Sequence, residues 1–442
     1  MLSLERQKII LGLGLPIIAG MLSQSVLNLI DAALVGQLGE ASLAGVGIGS
    51  YANFVVISLI LGLSSAVQAL VARTLGGGDR ERSVIPVYWG IILSVVIALP
   101  LSLLFISQSE QLTGLMTDDL AVQDIAASYF DYRTAAMVAV GLNLSLRGWW
   151  NGNKQPVTYF KVLLFTHLLN VVVSYCLIFG ELGLPRLGAP GAGLGSAIAL
   201  FAGAFFNFWL LRKELKPTRK LITSIISDYS LIRFFRLALP HSLQQFLLAL
   251  AICTLIWIIG QLGTHEQAIA HVLINLSLFL ILPAVGFGVA STSLVSHAMG
   301  EKDHQAASRW GWDVVKTAFT TVLILSLPLL IIPESVLQIF LHSEEIIEQA
   351  KLPLQLTALA ICLDAATIVF TQALLGVGAS RSVLLISTLG QWCFFLPLAW
   401  LFGPFFGFGL IGIWLVQVAY RFLSSIMFIR IWSQRSWQNI KI

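Results

Sequence analysis

Residues 9–39 read IILGLGLPIIAGMLSQSVLNLIDAALVGQLG. From Ile9 to Val35 the run is long enough to cross a bilayer as one helix, which takes about 20 apolar residues. It holds one ionisable group, Asp31. A carboxylate at mid-membrane costs about 2.5–3.5 kcal/mol on insertion scales, and a helix that carries one usually turns it inward and uses it. Asp31 is therefore the candidate proton or ion site, and the rest of the chain is read as its surroundings. Away from water a carboxylic acid is favoured over a carboxylate. Such a group can load a proton from one side of a membrane and release it on the other. The competing reading is a structural hydrogen bond between helices.

The whole chain fits that setting. Its 442 residues are 57% hydrophobic and 11% charged, against about 25% charged in a soluble domain. The apolar runs are too long for the strands of an outer-membrane barrel, and no polar stretch is long enough for a separate soluble domain. The first run lacks a small-residue cleavage site and is expected to stay as a helix. A net charge of +4 does not point to nucleic acid, because the basic residues sit in short loops. Cys176, Cys253, Cys362 and Cys393 lie far apart inside apolar runs, as packing residues do, with no metal-ligand spacing.

The expected fold is an all-α polytopic membrane protein with twelve transmembrane helices, near 9–35, 45–72, 84–107, 125–146, 157–180, 191–211, 237–262, 268–297, 314–333, 346–375, 382–402 and 408–430. Asp131 and Arg133 fall near the start of the fourth span and, two apart, do not share a helix face. Alternate loops differ in charge. One set carries Arg6, Arg80, Lys154, the run Arg212 to Arg236, Arg309, Arg381, Arg421 and Arg435. The other carries only Arg186 and Lys351 among acids such as Asp118, Asp119 and Glu334. Lys and Arg mark cytoplasmic loops, so both termini are expected in the cytoplasm.

The basic segment 213–236 divides the chain into an N-terminal lobe, 1–212, and a C-terminal lobe, 237–442. The halves repeat. A shift of 224 residues places Pro16 on Pro240, Gly36-Gln37-Leu38-Gly39 on Gly260-Gln261-Leu262-Gly263, and Gly76 and Asp79 on Gly300 and Asp303. With six spans each, the halves enter the membrane with the same polarity, which makes a pseudo-two-fold axis along the membrane normal. Transporters built this way bind substrate between the halves and alternate access by rocking them.

Asp31 falls on Leu255 under this shift, so the acid is not part of the repeat. In the fifth span His167, Asn170 and Ser174 are spaced to share one helix face, and Ser196 follows the glycine-rich GAPGAGLGSA. These four are candidates for a polar pocket with Asp31, or for ordinary interhelical hydrogen bonds. For His167 a packing role weighs more than a proton role. Asp364 is a second buried acid, with Thr367 and Thr371 on its face. It is a candidate second ion site or contact for a cationic substrate, with Gln244 and Gln245 as conjectural partners from the seventh span. Pro16, Pro100, Pro240, Pro283 and Pro328 should bend their helices.

Enzymatic chemistry finds no support. There is no P-loop GxxxxGK[ST] to bind ATP, no HExxH and no nucleophile elbow. Gly76-Gly77-Gly78-Asp79 reads as a loop at a helix end rather than a phosphate cradle.

LPIIAGMLSQSVLNLIDAALVGQLG, VARTLGGGDRERS, SLVSHAMGEKDHQAAS, and LRGWWNGNKQP with its counterpart LLGVGASR together resemble the multidrug and toxic compound extrusion (MATE) family, nearest its DNA-damage-inducible-protein-F-like branch. The resemblance implies two six-helix lobes that export organic cations and other amphipathic compounds against a proton or sodium gradient. The branch's N-terminal-lobe site maps onto Asp31, Asn170, Ser174 and Ser196. Ser174 departs from it, because the branch commonly has Asp there. One anion fewer weighs against a sodium cage and leaves Asp31 as the main titrating group. Asp364 matches a tenth-helix acid of other branches, whose seventh-helix Glu is absent; Gln244 and Gln245 lie in that region.

The expected function is proton-coupled antiport of amphipathic, often cationic, compounds by a monomer in the lipid bilayer. The coupling ion is the proton or sodium, and no cofactor is expected. The alternatives are a sodium-coupled exporter of the same fold, a lipid-linked precursor flippase of the wider superfamily, and a non-transporting scaffold.

Overall fold

The computed structural model of the chain describes residues 3–212, 230–340 and 344–440; residues 213–229 of the expected linker lie outside the described residues. Every regular element among the described residues is helical. The first half contains α1 (Leu4–Gly36), α2 (Glu40–Ser58), α3 (Gly62–Gly76), α4 (Ile85–Ile106), α5 (Ser109–Gly114), α6 (Leu120–Ala135), α7 (Met137–Gly152), α8 (Pro156–Phe179) and α9 (Ala189–Leu211). The second contains α10 (Ser230–Gly260), α11 (Thr264–Gly300), α12 (His304–Ile331), α13 (Pro333–Leu337), α14 (Glu344–Val377), α15 (Ser380–Leu389), α16 (Leu396–Trp400) and α17 (Gly409–Gln434).

Among the described residues, eleven helices are long and apolar enough to cross a membrane. The expected fourth span is the missing one. It is built from α6 and α7, of 16 residues each, which break at Ala136. The second span also breaks, between Ser58 and Gly62. Its repeat counterpart, α11, runs unbroken through Pro283. The break therefore falls where no proline stands. At Gly62 the backbone N–H donates to Ser242 Oγ at 3.0 Å, and an added Cβ would collide with the carbonyl oxygen of Ala238. This close approach of α10 needs a glycine, and it supplies an outside acceptor where the helix ladder stops. The eleventh span is α15 and α16 joined and followed by π-helical turns, Gly390–Phe395 and Leu401–Phe405, the usual form of a local irregularity inside a helix.

The repeat holds in three dimensions at several points. Asp79 accepts from Arg82 N at 3.0 Å, and its counterpart Asp303 accepts from Ala306 N at 2.8 Å. Asp303 is the N-cap of α12 and Asp79 caps the turn that leads into α4, so the GxxD match is a capping signal. A Cβ on Gly152 would lie 2.9 Å from the Gln68 carbonyl oxygen, and one on its counterpart Gly376 would lie 2.9 Å from that of Thr292, the counterpart of Gln68. In each half a glycine lets two helices meet backbone to backbone.

The helices gather into two compact units: Ala19–Phe246 is one, and Met1–Ile18 with Leu247–Ile442 is the other. The division falls inside α1, just past Pro16, and inside α10, a few residues past Pro240. The first turns of α1 are thus part of the unit that holds the second-half helices. Arg6 is fastened there by an ion pair to Asp313 at 2.9 Å, and a Cβ on Gly14 would meet the Phe287 ring at 2.5 Å.

Candidate functional site

The site is built in the unit Ala19–Phe246, where α1 and α8 run in the same direction. A Cβ on Gly20 would lie 3.1 Å from Leu163 Cδ1. His167 Nδ1 is 2.5 Å from Ser23 Oγ, and its Nε2 is 3.1 Å from Gln24 Oε1. Further along, Val35 and Ile178 share one buried cluster. Each of these pairs is separated by 143 or 144 residues, so the two helices keep one register along their length. The same offset puts Asp31 level with Ser174.

His167 is the fastener of that register. The amide of Gln24 donates from Nε2 to Asn28 Oδ1 at 3.0 Å, which leaves its oxygen to accept from His167 Nε2–H. The other ring nitrogen meets the Ser23 hydroxyl. The structure thus places His167 in a polar bridge between α1 and α8 rather than beside Asn170 and Ser174. Its partners Ser23 and Gln24 were not singled out from the sequence, although they sit two turns before Asp31 in the short polar run Ser23-Gln24-Ser25.

Asn170, Ser174 and Ser196 do come together. Asn170 Nδ2 donates to Ser196 Oγ at 2.9 Å, and Ser174 Oγ donates to Asn170 Oδ1 at 3.0 Å. The three are 4%, 0% and 1% exposed, so the hydrogen bonds are made away from solvent and lipid. The glycine-rich start of α9 permits this. At Gly195 a Cβ would sit 2.7 Å from Ser174 Cα, so only glycine lets α9 bring Ser196 to Asn170.

Asp31 is half-buried on α1. Its Oδ1 is enclosed and accepts no hydrogen bond, so it is not bonded to the triad at its level. The cation whose charge reaches it is Arg133 of α6; the two form no ion pair among the described residues, and Arg133 Nε is itself enclosed without a partner. Beyond Asp31, toward the end of α1, Val35, Val46, Tyr129, Ile178, Ala189 and Ala192 make an apolar plug. The acid thus lies level with a satisfied polar triad and just before an apolar cluster, within electrostatic reach of Arg133 but not paired with it. The sequence placed Arg133 near an interface and off the face of Asp131. It gave no sign that Arg133 would lie within electrostatic reach of Asp31.

The second candidate site differs from its expectation as a lone acid. Asp364 on α14 takes a hydrogen bond from Arg421 Nη1 at 2.7 Å, and the pair is 15% and 16% exposed. Arg421, read as a loop residue, lies within α17. A polar stripe, Gln417, Arg421, Ser424 and Ser425, at helical spacing was the signal that would have found it. Thr367 stays on the α14 face with Asp364. Gln245 belongs to the other unit.

Among the described residues there is no group of three or more His, Cys, Asp or Glu side chains able to hold a metal ion. Two stretches, residues 16–176 and 240–401, match the family MatE. Their starts are Pro16 and Pro240, the same pair that opens the repeat. The chain belongs to the MatE family. Its members are transporters and not enzymes. The chain is 25% identical over 428 residues to the probable multidrug resistance protein NorM of Thermotoga maritima, covering 94% of this chain and 89% of the relative. It is 27% identical over 414 residues to a protein of the same description from Rhodopseudomonas palustris, covering 92% and 87%. Its fold is that of a solved multidrug resistance MATE family transporter of the MOP superfamily in an outward-facing conformation, with a TM-score of 0.87 at 21% identity over 99% of this chain and 97% of the other. A MOP superfamily transporter from Pyrococcus furiosus, described as having a binding pocket of reversed polarity that suggests a different function, matches with a TM-score of 0.86 at 21% identity over 97% and 96%.

Proposed function

We propose that this MatE protein is a secondary active multidrug efflux transporter of the DNA-damage-inducible-protein-F-like branch. It exports amphipathic, often cationic, organic compounds from a bacterial cytoplasm by alternating access, in exchange for protons. It works as a monomer in the inner membrane, with both termini cytoplasmic. The observation that carries the reading is Asp31: an intramembrane carboxyl with an enclosed oxygen that nothing bonds, in a chain with no ATP-binding loop. A group in that position is poised to exchange a proton for a cationic substrate. The multidrug resistance relatives support the substrate class.

The drive is adequate. One charge crossing 100 mV gives about 2.3 kcal/mol, and one pH unit gives about 1.4 kcal/mol. Against sodium, one carboxylate alone makes a poor cage for a hard cation, which takes several oxygen ligands, and none of the triad's oxygens bonds to Asp31 Oδ1. Vesicles holding the purified protein separate the two ions. An organic cation should move under a pH gradient in sodium-free buffer and stay still under a sodium gradient alone. Transport that needs sodium would overturn the proton reading and leave the exporter reading in place.

A further inference from the structure

A cavity of about 430 Å³ opens in the unit of the second-half helices. Arg309, Trp312, Asp313 and Lys316 of α12 line it, with Ser433 and Arg435 at the end of α17. Its one acid is already matched: Asp313 holds Arg6 at 2.9 Å, and the Arg6 guanidinium lies over Trp310, 4.0 Å from the ring centroid. Arg309, Lys316 and Arg435 enter no ion pair among the described residues. The cavity therefore presents three unmatched cations and two serine hydroxyls, of Ser308 and Ser433.

The wall behind them is fixed. Trp312 meets Phe370 edge-on at 5.1 Å, Phe370 stacks on Trp432 at 5.4 Å, and Trp432 stacks on Trp437 at 4.5 Å. Arg435 itself takes the left-handed conformation, φ 56°, that ends α17. Its backbone is thus held between two stacked tryptophans. An apolar strip leaves the cavity along α12. Phe319, Leu323 and Leu327 follow Lys316 at helical spacing and are exposed. A cradle of cations that continues into an exposed apolar strip matches a headgroup that continues into an acyl chain.

We propose that this cavity binds an anionic phospholipid, with its phosphate among Arg309, Lys316 and Arg435 and an acyl chain along Phe319, Leu323 and Leu327. Basic pockets between transmembrane helices on the cytoplasmic side take such headgroups. The proposal rests on the charge-derived orientation and not on which compound the protein exports. Free phosphate shares the headgroup's chemistry, and the apolar strip favours the lipid.

The test is lipid retention by the full-length protein in detergent, read by native mass spectrometry. Phosphatidylglycerol should be retained over phosphatidylcholine, and millimolar inorganic phosphate should not displace it. Arg309→Gln/Lys316→Gln/Arg435→Gln should weaken phosphatidylglycerol by about fivefold per removed cation, and Arg309→Lys/Arg435→Lys should restore it. Arg435→Asn alone, at an exposed position beyond α17, should weaken it about fivefold without touching a packed residue. Equal retention by wild type and Arg435→Asn overturns the site. Displacement by inorganic phosphate overturns the lipid as its occupant.

Discussion

Arg421 Nη1 donates to Asp364 Oδ2 at 2.7 Å, joining α17 to α14. Removing one member of a buried ion pair leaves an uncompensated charge and costs about 3–5 kcal/mol, whereas replacing both by apolar residues is often nearly neutral. Arg421→Ala should therefore melt well below wild type in detergent, and Asp364→Leu/Arg421→Met should recover most of the loss. A single variant that melts with wild type would show that the pair carries no structural weight.

Asn170 is the hub of the buried triad, bonding Ser196 and Ser174 at once. Asn170→Ala leaves hydroxyl groups buried without their partner, at a cost of about 1–3 kcal/mol. Gly195→Ala acts on the same contact from α9, because the new methyl falls 2.7 Å from Ser174 Cα; overpacking of this kind costs about 1–3 kcal/mol. Both variants should lower the thermal midpoint, and both should slow transport. Gly12, with open space around it, is the control: Gly12→Ala should melt with wild type.

The common register of α1 and α8 is open to cross-linking. Cysteines replacing Gly20 and Leu163 should be joined by a short bifunctional thiol cross-linker, since a Cβ on Gly20 reaches the Leu163 side chain. Cysteines at Gly20 and Leu177 should not, being about four turns apart along α8. Cross-linking of the second pair and not the first would reverse the helix direction and remove Ser174 from the level of Asp31.

Much of this was legible in the chain. Helix lengths, the six-plus-six repeat and the isolation of Asp31 all follow from hydropathy and one offset. The sequence grouped Asn170, Ser174 and Ser196 with Asp31 and His167; the first three do bond one another, but His167 turns to Ser23 and Gln24, and Asp31 Oδ1 bonds to none of them. What was not legible depends on tertiary contact. The break before Gly62 comes from the approach of Ala238 and Ser242, which no local signal announces. The division at Ala136 leaves two helices that are each acceptable alone. Arg421 looked like a loop charge because its partner is 57 residues away. Arg133 was placed near an interface because nothing in α6 tells which way it turns.

The central claim is that Asp31 carries the coupling proton. The direct measurement is proton flux in proteoliposomes with an internal pH dye, during uptake of an organic cation down an imposed gradient. Wild type should move protons against the cation and stop when either is absent. Asp31→Asn should keep its fold and thermal midpoint yet move neither, while Asp364→Leu/Arg421→Met keeps the coupling. Proton exchange at the wild-type rate by a folded Asp31→Asn protein would contradict the account.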